Sequence, residues 1–240
     1  QEIAAKIGLQ RKVWVAGSIG PTSKSLSLSP DVADPAFRPY SFEQMKEAYR
    51  LQAEALLKGG ADLLLIETCF DALNVKAALA GIQEIVRERQ STTMAPSQLS
   101  WAPTPSRGWQ NASSVIQPLP DNHAIPVIIS VSVGDRSGRT LTGQTLEAFY
   151  TSVCHYPILT FGLNCSLGAA ELMPLVEEID KWCRCGVSCY PNAGLPNEMG
   201  GYDQSPEDMA AQIKAMASKG LVNIVGGCCG TTPEHIKAIA

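Results

Sequence analysis

Two cysteines stand side by side near the end of the chain, in Val225-Gly226-Gly227-Cys228-Cys229-Gly230-Thr231-Thr232-Pro233. Neighbouring side chains on a regular strand point to opposite faces. Aiming both thiols at one point therefore needs a kink, and the flanking glycines tolerate the positive φ that a kink can demand. A third cysteine, Cys165, follows another apolar run, in Asn164-Cys165-Ser166. Three thiolates with one open position suit a catalytic zinc. A closed structural site would carry four cysteine or histidine ligands at short spacings, whereas no histidine lies near either loop. An ion with three thiolates is electron-rich. It generates hydroxide poorly but holds an incoming thiol as a nucleophilic thiolate, which favours sulfur alkylation over hydrolysis. The competing reading is that the cysteines are small buried residues at strand ends. The glycine frame and the third strand-end cysteine weigh against it.

The elements that must position these thiols alternate along the chain. Apolar runs at Val13–Gly17, Asp62–Ile66, Ile125–Val133, Ile158–Leu163, Gly186–Tyr190 and Leu221–Val225 read as strands, and Asp62–Ile66 is continuous enough to be buried on both faces. Between them, helices are expected from Ser41 to about Lys58, Asp71 to about Gln90, Thr145 to His155, Ala169 to Trp182 and Ser205 to about Lys219, with a last one from Thr232 to Ala240. Ser41-Phe42-Glu43-Gln44 has the form of a capping box, and Pro206 and Pro233 suit first helical turns. Strand–helix alternation argues for a parallel sheet with outer helices. The expected fold is α/β, a (β/α)8 TIM barrel with about six of its eight βα units present.

One stretch breaks the alternation. Residues 91–123 hold five prolines and two tryptophans, with Arg107 and Asp121 their only full charges. They read as a disordered insertion in an otherwise single domain over 1–240, since long structureless segments are uncommon in compact domains. Composition fits an ordinary soluble globular protein: 45% hydrophobic, 18% charged, formal net charge −4. A nucleic-acid or membrane partner is not expected, because there is no basic stripe and no apolar run long enough to span a bilayer. Eight cysteines in 240 residues are too sparse for a disulfide scaffold, so free or metal-bound thiols in the cytoplasm are expected. The chain starts at Gln1 without an initiator methionine, as a piece of a longer protein would.

In parallel barrels the active site is built from residues just after each strand. Here those include Ser18, Glu67, Asp135, Asn164, Cys165, Asn192, Cys228 and Cys229. The segments Gly17–Pro21, Leu64–Thr68, Ser137–Thr145, Gly162–Ala169, Cys189–Pro196 and Val222–Gly230 resemble the homocysteine S-methyltransferase family. The Ser137–Thr145 and Cys189–Pro196 segments are similar in particular to the homocysteine-binding domain of cobalamin-dependent methionine synthases. The resemblance implies zinc on Cys165, Cys228 and Cys229, and homocysteine bound through sulfur. It further implies a methyl group taken from methylcobalamin, ultimately from 5-methyltetrahydrofolate, to give methionine. Asn192 would fill the fourth zinc position until the substrate thiol displaces it. Glu67 would receive the substrate amino group, and Ser18 would also bind the substrate.

The chain also departs from the family pattern. An opening strand with an Asp-Gly-Ala-type loop, and the strand after it, are missing before Val13, so part of the pocket would be lost and the barrel left open. Ser130–Asp135 stands where Gly-Thr-Ile is usual. The cobalamin and folate modules lie outside the chain. Two alternatives follow: a stand-alone homocysteine methyltransferase with another donor, or an inactive zinc-binding fragment. Cys69, Cys154, Cys183, Cys185 and Cys189 read as structural thiols, and His155 and His235 as surface or packing residues.

Overall fold

The computed structural model describes residues 13–93 and 125–240. Its strands are β1 (Ala16–Ile19), β2 (Leu63–Cys69), β3 (Val127–Val131), β4 (Ile158–Gly168), β5 (Gly186–Asn192) and β6 (Ile224–Val225). Its helices are α1 (Phe42–Lys58), α2 (Ala72–Thr93), α3 (Leu146–Val153), α4 (Ala169–Trp182), α5 (Pro206–Ser218) and α6 (Pro233–Ile239). All strand pairings are parallel and follow chain order, β1 through β6. This is six consecutive βα units, the repeating unit of a TIM barrel. Among the described residues β1 and β6 are the sheet's edges.

The helix starts are encoded locally. Ser41 and Gln44 form a reciprocal capping box at α1, while Thr145 and Ser205 cap α3 and α5 by accepting from the third helical N–H. α1 buries Met45, Tyr49 and Ala53, which recur every fourth residue as one stripe facing the sheet. The side chains of 127, 129, 131, 161, 163, 187 and 189 belong to this helix-side core. Alternation then turns Ser130, Thr160, Gly162, Asn164 and Ser188 to the inner face. That face is buried yet polar, and several of its groups pair with one another: Ser130 donates to Asn164 at 2.7 Å, and Thr160 to Ser188 at 3.2 Å.

Strand ends differ from expectation for identifiable reasons. β1 starts at Ala16, and just before it the Val15 N–H donates to the Asp62 carboxylate at 2.8 Å instead of to a strand carbonyl. β6 is short because Asn223 takes over the pairing: its carboxamide oxygen accepts from Val187 N–H at 2.7 Å. β4 and β5 run on past their apolar stretches to Gly168 and Asn192, still paired. α2 continues through Thr93, into the proline-rich stretch expected at 91–123. Residues 94–124 lie outside the described residues.

Candidate metal centre

The cluster is assembled by two irregular strand ends. Within β4 the chain turns left-handed at Cys165 and Ser166, with φ of 62° at both. That region is uncommon for residues with a Cβ and marks stored backbone strain. The pairing between β4 and β5 shifts register between Asn164 and Gly168, so the Cys165 side chain leaves the regular alternation. The second contribution is the loop after β6. It is stitched to the end of β5: Cys228 N–H donates to Pro191 O at 2.8 Å, Cys229 N–H to Asn192 Oδ1 at 3.1 Å, and Ala193 N–H to Cys229 O at 2.9 Å.

Glycine is needed in that loop. Gly230 has φ +77°, and a Cβ there would fall 2.3 Å from the Cβ of Tyr202. Gly230→Ala is expected to weaken metal binding by roughly tenfold, the equivalent of 1–3 kcal/mol of strain. Chelator competition would check it, and an unchanged affinity would contradict the geometric role of this loop.

The result is three sulfurs facing one point. Cys165 Sγ lies 3.5 Å from Cys229 Sγ, and Cys228 Sγ lies 4.0 Å from Cys229 Sγ. All three fall within 4.8 Å of one another. Two sulfurs bound tetrahedrally at ~2.3 Å from a zinc ion stand roughly 3.8 Å apart. The cluster therefore already has the spacing that a zinc centre requires. Burial pushes the Cys165 thiol up to about 12 and raises that of Cys228 as well. Without a cation these groups are held as neutral thiols, and a metal must displace their protons.

The other expected site residues fall into two places. Ser18 Oγ donates to Glu67 Oε1 at 2.5 Å, joining β1 to β2 at the same end of the sheet. Asn192 is buried beside the cysteines, and its carboxamide oxygen accepts from Cys229 N–H. A carboxamide oxygen has two lone pairs, so one remains for a ligand role. Tyr190 lies in β5 near both, with its hydroxyl buried and without a hydrogen-bond partner among the described residues. Its hydroxyl, pushed up first by burial, feels the charges of both Glu67 and Cys228.

Asn164 is the functional residue that carried no assigned role in the sequence. It accepts from Ser130 Oγ and from Thr68 N–H at 3.1 Å, and donates to Thr68 Oγ1 at 3.0 Å and Cys228 Sγ at 3.7 Å. It thereby ties β2, β3 and the paired-cysteine loop to the strand bearing Cys165. Thr68 is the third non-glycine residue in the left-handed region, with φ of 58°. A polar residue directly before Cys165, after an apolar run, was the available signal. His235 is a packing residue: it is buried, closes the cap of α6 with Thr232, and faces Gln204 O at 2.9 Å.

Six parallel βα units carrying a three-thiol cluster at the C-terminal end of the sheet define a barrel-type protein with a candidate metal centre. Residues 1–240 match the homocysteine S-methyltransferase family, and the chain belongs to that family. Among solved structures it is similar to the homocysteine methyltransferase MmuM from Escherichia coli. The apo form gives a TM-score of 0.65 at 19% identity, covering 99% of this chain and 65% of that one. The metallated form gives 0.66 at 20% identity, covering 99% and 64%. The oxidized form of the same protein matches with the same values as the metallated one. The chain thus spans slightly less than two thirds of MmuM. No described helix is long and apolar enough to cross a membrane.

Proposed function

We propose that this chain is a zinc-dependent S-methyltransferase domain that presents homocysteine as a thiolate for methylation to methionine. The observation that carries this reading is the convergence of Cys165, Cys228 and Cys229 at metal-ligand spacing. Family membership supports homocysteine as the methyl acceptor. When bound, zinc would acidify the substrate thiol and keep it nucleophilic at neutral pH. The three cysteines hold the ion. Asn192, whose carboxamide oxygen lies at the same loop, would offer the ion a further, weaker oxygen donor. Glu67, oriented by Ser18, receives the substrate ammonium through a charge-assisted hydrogen bond. Asn164 donates to Cys228 and keeps that sulfur aimed inward.

The homocysteine thiolate would use its electron pair to bond the donor's methyl carbon, while the bond between methyl and donor breaks and its pair stays with the donor. The Ser137–Thr145 and Cys189–Pro196 segments favour methylcobalamin as donor, bound by a module outside this chain, over the donor of a stand-alone enzyme. Free thiols at all eight cysteines suit a reducing compartment such as the cytoplasm.

A second reading is a piece that holds metal without turnover. Among the described residues β1 and β6 are open edges, which favours it, because a closed barrel has no edges. X-ray absorption on the zinc-loaded chain tests the main reading. Adding homocysteine is expected to raise the sulfur ligands from three to four. A spectrum unaltered by saturating homocysteine would leave only the metal-holding piece.

A further inference from the structure

A second pair of thiols meets at the opposite pole of the sheet. Cys183 and Cys185 flank the turn from α4 into β5, and their sulfurs lie 3.4 Å apart. β5 is seven residues long, which separates this turn from the metal cluster by roughly 20 Å. Cys183 caps α4 with extended backbone, φ −68° and ψ 135°. In extended chain, residues two apart share a side. The turn is held in place from below: Arg184 N–H donates to the Tyr150 hydroxyl at 3.0 Å, and the Tyr150 ring packs 5.4 Å from that of Trp182. Both thiols are half-buried, unlike Cys69 and Cys189, which are closed off in the core.

The two sulfurs are not equivalent. The contact between the two sulfurs lowers the Cys183 thiol from its ordinary value, Tyr150 adds to the effect, and Cys183 Sγ also donates to Cys185 O at 3.6 Å. The same sulfur–sulfur contact pushes the Cys185 thiol up. This is the division between an attacking and a resolving thiol.

We propose that Cys183 and Cys185 form a redox modification site, in which Cys183 attacks a low-molecular-weight disulfide and Cys185 resolves the product to an intramolecular disulfide. In the first step the Cys183 thiolate bonds to one sulfur of the small disulfide. The other sulfur leaves as a thiolate and takes up a proton. Cys185 then loses its proton and attacks the Cys183 sulfur, expelling the second small thiol. The protein dithiol loses two electrons and the small disulfide gains them. The final bond needs the sulfurs to close from 3.4 Å to about 2.05 Å, and residues two apart in extended chain stand roughly 6.6 Å apart at Cα, near the upper end of the range a disulfide spans.

The test exposes the full chain to oxidised glutathione, traps free thiols by alkylation and maps disulfides by peptide mass. Mapping assigns each bond by residue, so the result stands whether or not the other cluster holds metal. A Cys183–Cys185 disulfide is expected to form in the native chain. Cys185→Ser should stop at glutathione attached to Cys183, and Cys185 in Cys183→Ser should take up glutathione at least about tenfold more slowly than Cys183 does in Cys185→Ser. Far-UV circular dichroism confirms that the variants are folded; for one that is not, the native chain decides. Two results would overturn the proposal: both thiols still alkylated after exposed Cys154 has been fully modified, or equal rates at the two cysteines.

Discussion

Replacing any one of Cys165, Cys228 or Cys229 with alanine is expected to cut zinc affinity by at least about a hundredfold. Structural zinc sites are worth about 10–16 kcal/mol, or about 3 kcal/mol per ligand when spread over four, and each 1.4 kcal/mol is tenfold. The sulfurs already stand 3.5 and 4.0 Å apart, so little of that energy is lost to rearranging the loops. Cys229 is the most demanding position, since it is close to both partners and its own backbone is tied to Asn192. Affinity should also climb with pH. The Cys165 thiol is held near 12 and that of Cys228 is raised, chiefly by burial, so both are protonated at neutral pH and must release protons to bind metal. Two released protons imply up to about a hundredfold gain per pH unit between pH 6 and 8. In the metal-free chain the sign reverses. Raised thiol pKa values contribute stability below about pH 9, lost as pH rises toward about 12. Chelator competition at three pH values measures the first effect. A flat profile, or full zinc stoichiometry in all three variants, would remove the metal centre from the account.

Much of this centre was legible before any coordinates. Cysteines after strands announce themselves, because residue type and position in the βα repeat are both local properties. The glycine frame was also readable, since Gly230 does adopt the positive φ that its neighbours' doublet suggested. The helices were readable for the same reason. Their caps at Ser41, Thr145 and Ser205 are signals within four residues.

What escaped the sequence depends on pairs far apart in it. Asn164 gains its role from Thr68, Ser130 and Cys228, contacts that no window along the chain contains. The short β6 could not be anticipated either, because Asn223 substitutes a side-chain hydrogen bond to Val187 for strand pairing. The strained φ values at Thr68, Cys165 and Ser166 belong to the same class. Nothing in a threonine, cysteine or serine announces a left-handed turn, and only surrounding hydrogen bonds hold them there. Cys183 and Cys185 read as structural thiols because their spacing is not a CxxC motif. The feature that singles them out is the fixed turn above Tyr150.

Gly162→Ala is expected to remove most of the protein's stability, although no chemistry is attached to that residue. Gly162 lies in β4 with Ser130 on one side and Ser188 on the other, in register across the inner face. A Cβ there would fall 1.7 Å from the backbone oxygen of Ser188 and 2.5 Å from its hydroxyl. A flexible side chain could swing aside, but a backbone carbonyl in a parallel ladder cannot. β4 and β5 would have to part, and their hydrogen bonds would be lost beside the fully buried Ser130 and Ser188. Overpacking commonly costs about 1–3 kcal/mol where side chains can yield. Here the obstacle is main chain, so a loss above about 4 kcal/mol is expected, against total stabilities of about 5–15 kcal/mol. These two strands carry Cys165 and end at Asn192, so whatever folded variant survives should also bind zinc weakly. Urea unfolding of the purified variant measures the first effect and chelator competition the second. A midpoint equal to that of the native chain would mean that β4 and β5 are not held at this separation, and the sheet that aims the three sulfurs would have to be redrawn.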